Sequence, residues 1–382
     1  MNTRRDPGPP RIPFALAIGV TGHRLDTISA DALPHIERRL GEVLDLLGGE
    51  ARALAAREGA MFAERPPTFT LVSPLADGAD QIAAEVALAR GFRLQAILPF
   101  ERKVYLADFD PASKDRFDRL ARQADCLLEL PGERGHDLEA YVMAGRATVA
   151  HCDVLMAVWD GLRSRGRGGT ADIVQLALAR GTPIIHVPLD PAEPTTILWA
   201  AFDPSVISDR STPATRRPFL PGQVSRMLAA LLAPPASERE RRFLAQFLGE
   251  RERGVRPRIE YPLLLTIAGT HRFGREDWDA KPGIAATRDE WSEYRASCAD
   301  CHGVSADLDR LESAYGWSDR LATHFAQSYR SGHVLNFVLA ATGVLLALAG
   351  LVVPEATIGL AAAEFLAVLA ILVNTSVGIK RR

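Results

Sequence analysis

Charge of a single sign is what this sequence has least of. Its 382 residues carry 45 Lys and Arg against 47 Asp and Glu, a formal net charge of −2. No basic excess is present to neutralise a phosphate backbone, so no nucleic-acid partner is expected. Lysine is scarce: it occurs only at 103, 114, 281 and 380, so the positive charge is nearly all arginine and one arginine alone says little about a site. Cys126, Cys152, Cys298 and Cys301 are too few for a disulfide scaffold. No long apolar core follows Arg4 and Arg5, so no secretory leader is expected. These absences favour a reducing, cytosolic setting for the bulk of the chain.

What is present is apolar sequence, 47% of the residues, in a length that suits roughly two folded units. From Phe14 to Pro188 short apolar runs alternate with helical segments. Phe14–Val20, Thr68–Val72, Phe92–Leu98, Cys126–Leu130, Cys152–Trp159 and Thr182–Val187 read as strands. Helices are expected over about Asp31–Leu47, where Ile36, Leu40, Val43, Leu44 and Leu47 make one stripe, and over Leu138–His151. An Ala-rich helix ends at Arg90-Gly91, where glycine suits the cap. Such alternation predicts an α/β fold: a Rossmann-like parallel sheet with helices on both faces.

Ligands of such sheets bind beyond the C-terminal strand ends. Three polar, glycine-containing loops stand there: Thr21-Gly22-His23-Arg24, Asp77-Gly78-Ala79-Asp80, and Gly166 to Asp172. The last follows the apolar Cys152–Asp160 run and opens a helix at Gly168-Gly169-Thr170. Strand, glycine-rich loop and helix start together can hold an anion on free backbone N–H groups. His23 and Arg24 are candidate phosphate contacts, and Tyr141 and Arg146 candidate crevice residues from the preceding helix.

These residues carry a resemblance. Gly19-Val20-Thr21-Gly22-His23-Arg24 resembles the entry loop of the SLOG superfamily. Leu75-Ala76-Asp77-Gly78-Ala79-Asp80 resembles its second-strand loop, shared with the Smf/DprA proteins. Asp153–Asp160 followed by Gly168-Gly169-Thr170 is similar to the PGGxGTxxE segment of the LOG phosphoribohydrolases. The resemblance covers about Pro13 to Pro188. It implies a domain that binds a nucleotide or nucleotide-derived ligand, with Gly19, Thr21, Gly22, His23, Arg24, Asp77, Gly78, Asp80, Tyr141, Arg146, Asp160, Gly168, Gly169, Thr170 and Asp172 as the candidate ligand residues. Some relatives cut a nucleotide N-glycosidic bond; others are sensors.

One departure bears on the chemistry. The hydrolases place a catalytic Glu three residues after the motif Thr, and here that position is Ile173. Asp172 is one position earlier, about 100° around the helix. A carboxylate is needed to steady an oxocarbenium-like centre or to activate water. Its displacement favours a binding sensor over a membrane-anchored nucleotide N-glycosidase, which stays as the alternative. No cofactor and no metal is expected.

Asp190–Ser237 is Pro-rich and reads as an irregular connection with a short helix near Gly222–Leu232; the connection and its short helices are taken to extend over 191–284. Residues 285–333 read as a helical coupling region, with Trp291, Tyr294, Leu308, Leu311, Tyr315, Trp317, Leu321 and Phe325 as inward candidates. Cys298-Ala299-Asp300-Cys301-His302 spells the haem c attachment pattern, but the expected setting is cytosolic and no second Cys pair stands nearby, so the cysteines read as incidental.

Val334–Val353 is a 20-residue run with only Asn336 and Thr342 as polar side chains. That length spans a hydrocarbon core as a helix. After Pro354-Glu355 a second run reaches from Ile358 to Val377, interrupted by Glu364. Arg330 precedes the pair and Lys380-Arg381-Arg382 follow it, while the turn has no Lys or Arg. Positive-inside reasoning places both ends in the cytosol, at a bacterial inner membrane. Gly343, Ala347, Gly350 and Gly359 permit close packing. A SLOG domain joined to such a hairpin is similar to sensors of bacterial conflict systems whose hairpins act as membrane effectors. The expected partners are a nucleotide-derived small molecule, the lipid bilayer and further copies of the chain.

Overall fold

In the computed structural model the described residues are 9–162, 168–202, 215–250, 258–274, 289, 291–297 and 304–380. Cys298, Cys301 and His302 lie outside them, as do 163–167 of the glycine-rich loop. Two compact units divide the chain: Arg11–Gln246, and Phe247 onward together with the residues before Arg11.

The first unit alternates strands and helices: β1 Ala15–Gly22, α1 Leu33–Arg57, β2 Thr68–Ser73, α2 Ala79–Leu88, β3 Arg93–Leu98, α3 Arg102–Tyr105, α4 Pro111–Gln123, β4 Cys126–Glu129, α5 Asp137–Ala150, β5 Val154–Trp159, α6 Thr170–Ala179 and β6 Ile184–Pro188. Then come β7 Thr196–Leu198, β8 Arg216–Pro218, α7 Pro221–Leu232 and α8 Glu238–Leu248. The eight strands form one sheet in the order β4-β3-β2-β1-β5-β6-β7-β8. Every pairing from β4 to β6 is parallel; β7 and β8 are antiparallel additions. The Rossmann-like fold expected from the alternation is therefore present, and the order reverses between β1 and β5.

The strand β5 shows why the sheet is covered on both faces. All six of its residues are buried. Val154, Met156 and Val158 enter one apolar cluster with Ile36, Leu40 and Leu44 of α1 and Val224, Met227 and Leu228 of α7. Leu155, Ala157 and Trp159 enter another with Ile173, Val174, Ala177 and Leu178 of α6. Alternate residues of a strand point to opposite faces, so one apolar strand feeds two cores.

Two expectations change. The Pro-rich stretch after Asp190 is not wholly irregular: β7 and β8 extend the sheet there. They are three residues each and carry no alternation long enough to read, and Pro218 is tolerated because β8 is the outermost strand. The α4 helix also went unread, although Asp110-Pro111 is a helix-start signature: the Asp110 carboxylate accepts from the Ser113 N–H at 2.9 Å.

The second unit contains α9 Glu260–Ile267, α10 Ser292–Ser297, α11 Val304–Val352 and α12 Thr357–Lys380, with a tight turn at Pro354–Ala356. The coupling region and the first apolar run thus share one long helix, α11. Of the inward candidates Leu308 is buried, but Tyr294, Leu311, Tyr315 and Phe325 are exposed. Among the described residues the main partners of the long helix are α12 and α9, and Arg295 of α10 reaches Asp309 and Glu312 near its start. Both α11 and α12 contain segments long and apolar enough to cross a membrane by length and composition. Phe337, Leu345, Leu351, Ile358 and Phe365 point outward.

At the base of this hairpin a polar clasp holds α9. Arg258 donates to Glu260 at 2.8 Å and to Asn374 at 3.3 Å; Asn374 donates to the Gly332 carbonyl at 3.0 Å and to Asn336 at 2.8 Å. The Tyr261 N–H donates to the Ser331 hydroxyl at 3.2 Å. Glu364 is half-buried, and a Cβ on Gly343 would lie 4.0 Å from its Cγ, so the acid packs beside the smallest residue of the facing helix.

One glycine in the first unit is required by its backbone. Gly78 has φ +100 and ψ −128, and a Cβ there would fall 2.6 Å from the His23 carbonyl oxygen and 2.7 Å from the Leu25 nitrogen. A side chain would meet backbone that cannot move without opening the β1–β2 loops. Gly78→Ala is expected to destabilise the first unit by about 2 kcal/mol or more; a urea or thermal unfolding comparison with the parent checks it.

Candidate functional site

The crevice lies beyond the C-terminal ends of β1 and β5, where the strand order reverses. The backbone of His23 joins its two sides. Its N–H donates to the Val158 carbonyl at 3.1 Å, and its carbonyl accepts from the Ala79 N–H at 3.1 Å. The first loop is thereby joined to the second and to the end of β5, the strand that precedes the third. The imidazole adds a second link: Nε2 accepts from the Asp160 N–H at 3.3 Å and lies 3.3 Å from Asp160 Oδ1. Gly22 must be small for this approach, since a Cβ would come 2.4 Å from that of Ala79.

The second loop turns on strain. Leu75, fully buried, has φ 54, a left-handed conformation rare for leucine. The Ser73 hydroxyl accepts from its N–H at 3.0 Å, and its carbonyl accepts from Gln81 Nε2 at 3.3 Å. Strain held this way clusters at ligand sites. The turn delivers Asp77 and Asp80 to different places. Asp77 is half-buried and accepts from the Ser113 hydroxyl of α4. Asp80 is buried in the first turn of α2, and its Oδ1 has no hydrogen-bond partner. Burial pushes its carboxyl up to about 8, against the bond from the Ala76 N–H and the charge of Arg24, which pull it down. Asp80 is therefore mostly protonated at neutral pH.

Beside it stands an aromatic group that the sequence reading did not single out. Tyr105 stacks edge-on with Phe109 and Phe117, with centroids at 4.8 and 5.9 Å, and its ring lies 6.3 Å from that of Tyr141. Its hydroxyl is buried without a partner, and burial, with Asp80 next in weight, pushes its pKa well above the phenol value. Tyr141 donates to Asp108, and the Arg24 guanidinium lies 5.5 Å from the Tyr141 ring centroid. Asp108, Arg134, Tyr105 and Ser113 belong to no motif; only the helix start at Asp110-Pro111 signals that this segment is ordered.

The third loop is described from Gly168. Gly168 has φ +82 and backs onto Leu138 and Val142 of α5. Its N–H donates to Asp172 Oδ2 at 2.7 Å, so Asp172 caps the loop with its own carboxylate. Gly169 is the residue before α6, and the amides of Thr170 and Ala171 stand in the first helical turn, where N–H groups lack an intrahelical acceptor. Ile173 is buried, and its side chain fills the space over Gly145 of α5, where a Cβ would meet it at 2.2 Å. The hydrolase carboxylate position is thus part of the α5–α6 packing.

Two expected site residues, Gly19 and Arg146, are placed differently. Gly19 lies inside β1, buried and paired with Val72 and Leu155, where a Cβ would meet the Cys152 sulfur at 2.7 Å. It is a packing glycine and does not reach the mouth. Burial pushes that Cys152 thiol up to about 12, so it offers no thiolate. Tyr141 and Arg146 do not share a face: five positions on a helix differ by about 140°. Tyr141 turns to the crevice, and Arg146 is exposed. Thr21, Gly22, His23, Arg24, Asp77, Gly78, Asp80, Asp160, Gly168, Gly169, Thr170 and Asp172 stand in the three loops. No group of three or more His, Cys, Asp or Glu arranged to hold a metal occurs among the described residues.

No protein-family model matches the chain, and no curated protein matches it in sequence. Solved structures similar to it include DNA processing protein A (DprA) from Streptococcus pneumoniae, at 17% identity and a TM-score of 0.29, over 46% of this chain and 50% of that one. Another is TM1055, a structural-genomics target, at 16% identity and a TM-score of 0.24, over 44% of this chain and 72% of that one. The chain spans half the length of the first. At these TM-scores it is the sheet order of the chain itself, not the likeness, that identifies the fold as Rossmann-like.

The buried Asp80 makes stability depend on pH with a definite sign. Its folded pKa of about 8 exceeds the ordinary value of 3.8, so between these values the folded state holds a proton that the unfolded state has lost. Stability therefore falls as pH rises from about 4 to about 8. Asp80→Asn keeps the shape and removes the titration. Unfolding free energies measured across that window should slope downward in the parent and less steeply in the variant.

Proposed function

We propose that the chain is a membrane-anchored sensor: its first unit binds a nucleotide-derived signal in the crevice between β1 and β5, and its hairpin carries the response at a bacterial inner membrane. The observation that carries this reading is the closure of the first two polar loops and the end of β5 around the backbone of His23, with the start of α6 on the segment that leaves β5. Such a mouth suits a phosphate-bearing ligand. The packing of Ile173 into Gly145 favours binding over N-glycosidic hydrolysis, because no carboxylate stands where the related hydrolases carry theirs. Residues 11–190 are the ligand-binding domain, 191–284 the connection, 285–333 the coupling region and 334–382 the hairpin.

The membrane part rests on dimensions. From Asn336 to Pro354 the helix rises about 27 Å, close to the hydrocarbon thickness of about 30 Å. Asn336, Asn374 and the Arg258–Glu260 pair then lie together at one boundary, where polar groups are tolerated, with both ends of the hairpin cytoplasmic. Glu364 is the exception, deep in the second span, and a carboxylate there costs about 2.5–3.5 kcal/mol if it meets lipid. Its place beside Gly343 keeps it in protein. One hairpin encloses no path for ions, so a conducting form requires several copies, with Glu364 at the shared centre.

Gly169→Asp tests the site. A Cβ at Gly169 meets no atom within 4 Å, so the substitution leaves the packing intact while placing a carboxylate at the helix mouth. Like charge there opposes phosphate. Calorimetry of the full chain with ADP-ribose, AMP and ADP should show binding of at least one by the parent and loss of about tenfold or more in the variant. Equal affinity in both removes this site from the reading.

A further inference from the structure

The crevice has a second cationic lobe, occupied by the protein itself. Asp108 follows α3, in the segment that crosses from the end of β3. Its Oδ2 accepts from the Tyr141 hydroxyl and its Oδ1 from Arg134 Nη2 at 2.7 Å. Arg134 also donates to the Val104 carbonyl at 2.7 Å, lies 4.4 Å over the Phe100 ring and has Asp137 Oδ2 at 3.5 Å from Nη1. Arg24 faces the Tyr141 ring and lies within electrostatic reach of Asp108, Tyr105 and Asp80. Two guanidinium groups and a phenol around one carboxylate are the donor set of an oxyanion receptor.

Two further observations separate this lobe from an ordinary surface ion pair. The Tyr105 hydroxyl and Asp80 Oδ1 are more than nine-tenths buried, lack hydrogen-bond partners and belong to the same electrostatic cluster as Arg24, Tyr141 and Asp108. A pair that only pins the 102–108 segment has no use for them. The lobe also adjoins the glycine-rich loop: Gly168 backs onto Leu138 and Val142, on the same part of α5 that presents Tyr141. The α6 start and this lobe therefore flank one helix, α5.

We propose that Arg24, Arg134 and Tyr141 form a second phosphate subsite, held closed by the Asp108 carboxylate until a ligand phosphate displaces it. The inference rests on the nucleotide reading above and narrows it to nucleotides with more than one phosphate group. One phosphate takes the amides at the start of α6, and the next takes the place of Asp108. Freed from Tyr141 and Arg134, Asp108 loses both of its side-chain partners at the end of the 102–108 segment, while Arg102 stays paired with Asp118 at its start, so the ligand loosens one end of that segment.

ADP and AMP, titrated against the full chain in lipid nanodiscs, test it. Asp108→Asn removes the competing charge and keeps the shape. ADP should bind that variant about fivefold tighter than the parent, the equivalent of one exposed ion pair. Arg134→Gln should abolish the preference of the parent for ADP over AMP. Unfolding temperatures without ligand identify any variant that has lost its fold, and the other variant then decides. If ADP binds the parent and is lost in Gly169→Asp, yet neither Asp108→Asn nor Arg134→Gln alters it, the subsite is wrong and the nucleotide reading stands. If ADP, AMP and the ADP-ribose named above all fail to bind the parent and Asp108→Asn, both fall together.

Discussion

The backbone of His23 is the point on which the crevice depends. The two peptide groups that flank its Cα tie the end of β1 to the end of β5 through Val158 and to the start of α2 through Ala79. Gly22 and Gly78 exist in their present form because those neighbours come so close. The side chain of the same residue then reaches Asp160. The strained turn at Leu75, held in its own right by Ser73 and Gln81, lies just before the Gly78–Ala79 contact, so the positions of Asp77 and Asp80 are fixed from both sides. Backbone bonds set the spacing of these loops.

The crevice is charged unevenly. Asp80 sits neutral behind the mouth, Asp172 is spent on the Gly168 amide, and Asp108 is shared between Arg134 and Tyr141. Burial holds one of these acids mostly protonated, a backbone N–H satisfies the second, and Arg134 with Tyr141 satisfies the third. Asp77 accepts from the Ser113 hydroxyl and Asp160 from the Leu162 N–H, while Arg24 is exposed beside them.

Much of this was legible in the sequence because it is written in local pattern. The alternation of apolar runs predicted the sheet, and glycine with polar residues after a strand marked the loops. What could not be read was of two kinds. Gly19 counted as a ligand residue because it opens the Gly19–Arg24 motif, although it falls within the expected first strand; the pairing with Leu155 and the contact with Cys152 place it in the core. Tyr105, Asp108 and Arg134 come from three segments far from the motifs, and nothing in their spacing brings them together. The short strands β7 and β8 are set by the edge they extend, not by their own residues. In the second unit the long apolar runs were plain from composition, whereas the clasp of Arg258, Asn336 and Asn374 joins residues more than a hundred positions apart.

The contact of Ile173 with Gly145 also limits what position 173 can carry. The isoleucine supplies the bulk that seals α5 against α6. A glutamate placed there would be driven into an apolar seam, and relieving it would require recutting the α5 surface at the same time. The two positions therefore change as a pair: the seam between the helices, and not the loop beside it, sets which residues the start of α6 can present.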